Sequence, residues 1–357
     1  MRLLGPAFRG FVLRRGRRDL DMTVRHRAHF GWSYDRDQPE LARLYEVAKR
    51  SQWDAATALD WSASVDPLDP SRELMPDEWL PLADIPQYRL LSDRERRGQR
   101  HALTAWMLSQ FLHGEQGALY AACQVTEAIA STDGKLFGGS QVADEARHVE
   151  VFSRYLREKL RRLYVIDDNL YTIVDALMTD GRWDMKFLGM QIMVEGLALG
   201  AFGTLRAATR EPLLRELLRY VIADEARHVQ YGVVALRDHT RTIGERGRRE
   251  RESWAYEVAV LLRDRFLAHE FYDEHYGQAM SRKAWDRLVL ASGYMERFRR
   301  TMFRRLIPNL KKIGLLSDRI RPRYAALGLL QWEDEPAADE AASLLHGVPG
   351  GFTTEPP

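Results

Sequence analysis

Two imidazoles and four carboxylates in this chain are spaced so that together they could hold metal. Glu145 and His148 lie three residues apart within Ala143-Asp144-Glu145-Ala146-Arg147-His148-Val149. The same heptapeptide returns at 223–229 and places Glu225 and His228 in the same relation. Three residues along a helix is about one turn, so carboxylate and imidazole project from one face. Glu115 precedes Glu145 by 30 residues, and Glu195 precedes Glu225 by the same interval. The unit Glu-x29-Glu-x2-His therefore occurs twice. Four helices carrying these six side chains inward would bring four carboxylates and two imidazoles to one point in a bundle core, a donor set for two metal ions.

A single Glu-x-x-His beside an arginine is usually a solvated helix face. The duplication argues otherwise, and so does the company of the upstream glutamates. Glu115 shares its stripe with Leu108, Phe111, Leu112, Ala118, Leu119 and Ala122, and Glu195 lies among Leu188, Ile192, Ala198, Leu199 and Phe202. A carboxylate on an apolar face must be protonated, paired or bound to metal. Four glutamates and two neutral histidines carry four negative charges, which two divalent cations neutralise. Two trivalent ions sharing an oxide would be neutral again, so the site can change redox state without burying net charge. Oxygen-rich ligation with some imidazole and no converging thiolate suits iron or manganese better than structural zinc.

Asp144 and Asp224 stand immediately before Glu145 and Glu225. A metal-bound imidazole commonly donates its other N–H to a carboxylate, which fixes the ring. The expectation is that each aspartate serves the histidine of the opposite repeat, with Arg147 and Arg227 neutralising the aspartates. The plainer alternative is ordinary surface ion pairing.

Positioning six such side chains requires an all-α bundle, and the sequence supplies the helices. Residues 1–30 are Arg-rich, with Arg9, Arg14, Arg15, Arg17 and Arg18, and read as a disordered arm. Residues 31–91 form a lead-in segment, with a helix expected over 39–60 and an irregular Trp- and Pro-containing stretch up to Pro86. The bundle itself spans 92–245. Ser92-x-x-Glu95 is a capping box that opens the helix bearing Glu115. Thr132-Asp133-Gly134 separates it from the helix bearing Glu145 and His148. A connection near 164–182, with a short helix at 170–179, leads to helix 183–208 with Glu195. Pro212 then starts the helix of Glu225 and His228, since proline is tolerated in a first turn. This connection is long enough to be a crossover between two helical pairs. After a polar stretch at 244–252, residues 246–332 are expected to pack further helices, at about 253–276 and 281–306, on the bundle. Residues 333–357 read as a flexible tail.

Composition sets outer limits. Arginine and lysine number 53 against 51 acidic residues, which gives no global reason to expect nucleic acid or acidic partners. No run reads as a signal peptide or membrane span. The single Cys123 excludes an internal disulfide and fits a reducing compartment, hence a cytoplasmic expectation. Cys123 lies two turns past Glu115, where core packing is the simpler reading. The basic run from Arg297 to Arg323 reads as a solvated face, or else as a surface for an acidic redox partner or another subunit. A homodimer is compatible with all of this.

The repeated Glu…Asp-Glu-x-Arg-His pattern resembles the ferritin-like di-iron carboxylate superfamily. Within it the chain is most similar to the branch holding bacterial monooxygenases and the ribonucleotide reductase small subunit. The resemblance spans about residues 40–240 and includes Leu44-Tyr45-Glu46-Val47-Ala48-Lys49-Arg50-Ser51-Gln52-Trp53, which looks like the helix and tryptophan ahead of the bundle in reductase-like members. It implies a ferritin-like four-helix bundle with additional N- and C-terminal helices. It also implies two iron ions, or a manganese–iron pair, bridged by Glu145 and Glu225. Glu115 and His148 would complete one ion, and Glu195 and His228 the other. The chain departs from the family at three positions. Phe152 stands where the reductase subunit carries its radical tyrosine, and Leu199 where many monooxygenases carry threonine. Val221 stands one turn before Glu225, so the extra histidine ligand of arylamine N-oxygenases is not evident.

The expected function is dioxygen activation at a dinuclear site to hydroxylate, desaturate or N-oxidise a small organic substrate. With no dinucleotide fingerprint and no cysteine set for an iron–sulfur cluster, the electrons would come from a separate reductase or ferredoxin. Phe111, Phe152, Phe187 and Phe202 are the candidate pocket residues. Two other classes use the same residues. One is a radical-generating or redox subunit acting on a partner protein, with Tyr155 and Tyr231 as radical candidates. The other is an iron-handling ferritin-like protein, against which the extra helices and the long N-terminal part argue.

Overall fold

The computed structural model describes residues 3–24 and 26–340, and no strand occurs among them. Helix starts follow local side-chain chemistry. After α1 (Leu4–Ala7, extended as a wider turn through Phe8–Val12) and α2 (Pro39–Arg50), the long α3 (Asp93–Ala128) begins at a capping box. Ser92 Oγ accepts from the Glu95 amide, and the Ser92 amide donates to Glu95 Oε2 at 2.8 Å. Ser131 caps α4 (Thr132–Arg154), which runs on as a wide turn over Tyr155–Leu160. Asp167 caps α5 (Asp168–Thr179) by accepting from the amides of Asn169 and Leu170. α6 (Trp183–Ala208) follows. Glu211 caps α7 (Pro212–Thr242), with Pro212 in its first turn.

Four of these helices form the bundle. α3 packs along α4, α6 along α7, and α4 against α7, so the two repeats meet face to face. α5 is the crossover and packs on α3. α6 is long and apolar enough to cross a membrane, but 78% of its most apolar window is buried inside the fold. Its middle, Leu188–Val194, is a π-helical turn that ends at Glu195. Such a widened turn resets which face the following residues present. Gly232 on α7 allows the close approach of this segment, because a Cβ there would lie 2.6 Å from Gln191 Cβ.

Elsewhere the structure corrects the sequence reading. The helix expected over 39–60 stops at Arg50, because Asp54 Oδ1 takes the amides of Ala56 and Thr57 into a side-chain-capped turn. The polar stretch at 244–252 is not a loop but the start of α8 (Glu245–Asp264). Its buried charges are paired, Arg251 with Asp184 at 2.6 Å and Glu252 with Arg319 at 2.7 Å. The helix expected to continue to 276 breaks at Ala268, which is left-handed with φ 50°, before α9 (His269–His275). The one expected over 281–306 splits at Ser292 into α10 (Arg282–Ala291) and α11 (Gly293–Met302), because Ser292 Oγ accepts from the Met295 amide.

The Arg-rich start is not a disordered arm in its first half. Arg9 forks onto Asp175 and Arg14 pairs with Asp168, both on the crossover, and Arg17 meets Glu270 of α9 at 2.8 Å, so α1 and the turn after it are docked. The expected tail is likewise held over 333–340, and residues 341–357 lie outside the described residues. Glu333 pairs with Arg321, Glu335 with Arg304, and Glu340 with Lys312. The basic C-terminal run is thus neutralised in part by acidic residues of its own chain.

Candidate metal centre

The six side chains that the spacing singles out converge. Glu115, Glu145, His148, Glu195, Glu225 and His228 are all buried, none more than 5% exposed. Their ligand-capable atoms form two groups, each with its atoms within 4.8 Å of one another: Glu115, Glu145, His148 and Glu225 in one, Glu145, Glu195 and His228 in the other. Glu145 belongs to both. Glu225 lies between the imidazoles, 3.1 Å from His148 Nδ1 and 3.8 Å from His228 Nδ1.

Each imidazole turns Nδ1 toward the carboxylates and Nε2 toward an aspartate of the other repeat. His148 Nε2 lies 3.2 Å from Asp224 Oδ2, and His228 Nε2 lies 3.2 Å from Asp144 Oδ2. Arg147 bonds Asp144 and also reaches Asp224 at 3.2 Å, while Arg227 pairs with Asp224. Three residues that the sequence reading did not place at the site complete this layer. Gln52 donates to Asp144 at 2.9 Å, and Trp53 Nε1 donates to Asp224 at 2.8 Å under the guanidinium of Arg147. Gln141, one turn before Glu145, donates to Glu145 Oε1 at 3.0 Å and to Glu195 Oε1 at 3.2 Å. Its place on the Glu145 face was the available signal.

Burial and crowding set the protonation. Burial pushes Glu115 well above the usual carboxylate range, reinforced by Glu225 and opposed by His148. Glu195 is raised in the same way, by burial and then by Glu225 and Glu145. Burial also acts on Glu145, but His228 and His148 override it and hold Glu145 low. For His148 burial disfavours the cation, yet hydrogen bonds to Asp224 and Glu115 and the nearby Glu145 and Glu225 hold it well above its ordinary value. His228 is raised likewise, against burial, by Glu145 and Asp144. Asp224 is held low against burial, chiefly by His148.

Even so, the cluster is not satisfied internally. Glu145 Oε2, Glu195 Oε2, both oxygens of Glu225 and Nδ1 of His228 have no hydrogen-bond partner. His228 Nδ1 stands 3.1 Å from Glu145 Oε1 without the alignment of a hydrogen bond. An unmet buried donor or acceptor costs about 1–3 kcal/mol, more when charged. Five such atoms facing one another in a dry core is the arrangement that cations satisfy, and the donor set fits a dinuclear metal site.

A narrow cleft of about 20 Å³, room for about one water, reaches Glu115, Glu195 and Glu225. Phe111 and Phe202 line it. Phe152, expected in the pocket, packs behind both rings, 5.7 Å from Phe202, and Phe187 lies away from the cleft against Tyr231 and Trp183. The hydroxyls of the two tyrosines considered as radical sites point elsewhere, Tyr155 to Glu211 and Tyr231 to the Gly134 carbonyl. Cys123 is half-buried and outside both ligand groups.

The chain matches no family model, and no curated protein matches it in sequence. Among solved structures it is similar to an R2-like ligand-binding oxidase with aerobically reconstituted Mn/Fe cofactor. That likeness is at 17% identity and TM-score 0.46, covering 77% of this chain and 98% of the other. A point mutant of an R2-like ligand-binding oxidase with anaerobically reconstituted Mn/Fe cofactor gives 20% identity and TM-score 0.47 over 77% and 98%. At these values the likeness adds nothing to the case that the side chains make.

Proposed function

We propose that the chain is a dinuclear oxidase. In this reading Glu115, Glu145, His148, Glu195, Glu225 and His228 hold two iron ions, or one manganese and one iron, and the centre activates dioxygen to oxidise a small organic substrate. The observation that carries this reading is the set of unpartnered ligand atoms in a dry, duplicated carboxylate and imidazole cluster. The bound ions would supply the binding and reduction of dioxygen, chemistry that no side chain here provides.

The residues of the chain do the rest. Asp224 and Asp144 hold the imidazoles so that Nδ1 faces the carboxylates. Arg147 pairs with Asp144 and Arg227 with Asp224, which fixes where the two aspartates sit. Gln141 orients Glu145 and Glu195, and Phe111, Phe152 and Phe202 exclude water. The two electrons per turnover would come from a separate reductase or ferredoxin, in the cytoplasm.

The test is metal analysis of purified protein, with optical spectra and dioxygen uptake after reduction. About two metal ions per chain, with uptake abolished by Glu225→Ala, is the expected result. Fewer than about one ion after anaerobic reconstitution, with no dioxygen uptake, sinks the reading. Hundreds of irons per chain would make it a storage protein instead.

A further inference from the structure

The helical stretch Leu4–Val12 is docked the opposite way round from an ordinary surface helix. Its inner side is small or charged. Pro6 and Gly10 are buried, a Cβ on Gly10 would lie 2.8 Å from Thr172 Oγ1 of the crossover, and Arg9 reaches Asp175. Its apolar side chains point outward instead. Leu4, Phe8 and Val12, each four residues after the last, are 65%, 53% and 62% exposed. Such spacing lines them up along one side of a helix. Single exposed apolar residues are ordinary, but these are not single. Among the described residues thirteen large apolar side chains stand exposed, and nine of them lie between Leu4 and Tyr34. Phe30 and Trp32 are two of the nine, stacked with ring centroids 5.9 Å apart.

The two apolar stretches are held toward one end of the bundle. α1 runs antiparallel to the crossover, since Gly16 abuts Ile166 whereas Arg9 reaches Asp175, so Leu4 lies toward the end at Thr179. His26 meets Glu127, and the His29 amide donates to the Glu127 carbonyl at 2.8 Å, which fixes the second stretch at the end of α3. That end of α3 neighbours the same end of the crossover through Gln124 and Met178.

Charge decides what such a face meets. Residues 1–38, ahead of α2, hold nine arginines and four aspartates, whereas the remainder of the chain has 44 basic against 47 acidic residues. Arg9, Arg14 and Arg17 are engaged with Asp175, Asp168 and Glu270. Arg15, Arg18 and Arg27 are exposed and form no ion pair among the described residues. Apolar side chains flanked by free arginines suit an anionic lipid surface, which takes the former into its headgroup layer and holds the latter on its phosphates. A second copy of the chain suits them less, because a two-fold contact would set the same positive patch against itself.

We propose that the stretch Leu4–Val12, with the exposed segment that follows it to Tyr34, is a docking face for an anionic bilayer. Leu4, Phe8 and Val12 enter the headgroup layer, and Arg15 and Arg18 lie on lipid phosphates. The contact is peripheral and does not depend on the metal centre.

The experiment is co-sedimentation of the full chain with vesicles of phosphatidylglycerol and phosphatidylcholine in equal parts, and of phosphatidylcholine alone. Partitioning should be stronger on the anionic vesicles by about tenfold or more and should fall steeply with added salt. Arg15→Gln with Arg18→Gln should weaken it by about fivefold for each charge removed, and Phe8→Ser with Val12→Ser should abolish it. No partitioning onto anionic vesicles at low salt overturns the proposal. So does equal partitioning onto both kinds, or binding that both double variants retain. If the variants do not fold, hydrogen exchange of the wild type decides. Slower exchange over Leu4–Val12 on anionic vesicles supports the proposal, and slowing only elsewhere, or nowhere, refutes it. Sedimentation without lipid tests the other occupant. A dimer that Phe8→Ser with Val12→Ser turns into a monomer assigns the face to a second copy and overturns the proposal.

Discussion

Loading the paired site with divalent metal should expel protons, and the structure says how many. In the metal-free chain Glu115 and Glu195 are pushed toward the neutral acid, and His148 and His228 toward the imidazolium. All four must lose that proton to become ligands. Two divalent ions bring four positive charges and four protons carry away the same number, so the exchange leaves the buried charge unchanged. A low-dielectric core favours such a swap. The count expected near neutral pH is between about two, from the imidazoles alone, and about four, and the apparent affinity for the pair should rise by about that many decades per pH unit. Anaerobic calorimetric titration with ferrous iron, in buffers of different ionisation enthalpy, reads the count directly. Release of fewer than about one proton per chain, or any uptake, refutes the reasoning.

The same groups govern stability before loading. Glu115 and Glu195 have folded pKa values above their ordinary 4.5, so their contribution is fully present below that value and is lost as pH rises. His148 and His228 add the same sign of dependence above 6.5. Glu145 and Asp224 are shifted downward, so they act only in more acidic solution. The melting temperature of the metal-free chain should therefore fall between about pH 5 and 8, by up to about 1.4 kcal/mol of stability per pH unit for each group titrating.

Two further substitutions follow from named contacts. Asp224→Asn removes the charge that holds His148 and should weaken metal binding by about 10- to 100-fold without loss of helix content, measured by chelator competition. Unchanged affinity would mean that the aspartate is only a surface ion pair turned inward. Gly232→Ala forces a methyl to 2.6 Å from Gln191 Cβ. Although alanine favours a helix interior, overpacking should win and cost about 1–3 kcal/mol in denaturant unfolding. A more stable variant would show that the two helices can separate freely there.

What the sequence revealed was what is local. The capping box at Ser92, the proline at 212 and the paired Glu-x-x-His turns act within a few residues, so helix starts and the facing of Glu145 with His148 could be read directly. Contacts between distant segments could not. Arg9, Arg14 and Arg17 look like a solvated arm until Asp175, Asp168 and Glu270 are brought to them from far along the chain. Gln52 and Trp53 reach aspartates 92 and 171 residues away. The break at Ala268 carries no glycine or proline to announce it, since it is an alanine that takes the left-handed conformation there.

The duplication that builds the centre is not perfect, and the exception lies beside the ligands. Gln141 ties Glu145 to Glu195, whereas the residue 80 positions later is Val221, buried and unable to bond anything. One half of the cluster thus has its oxygens steered by an amide, and the other half does not. A single equivalent of metal would not scatter over both halves at random but would collect in one, and a half-filled molecule would be a definite species with its own spectrum.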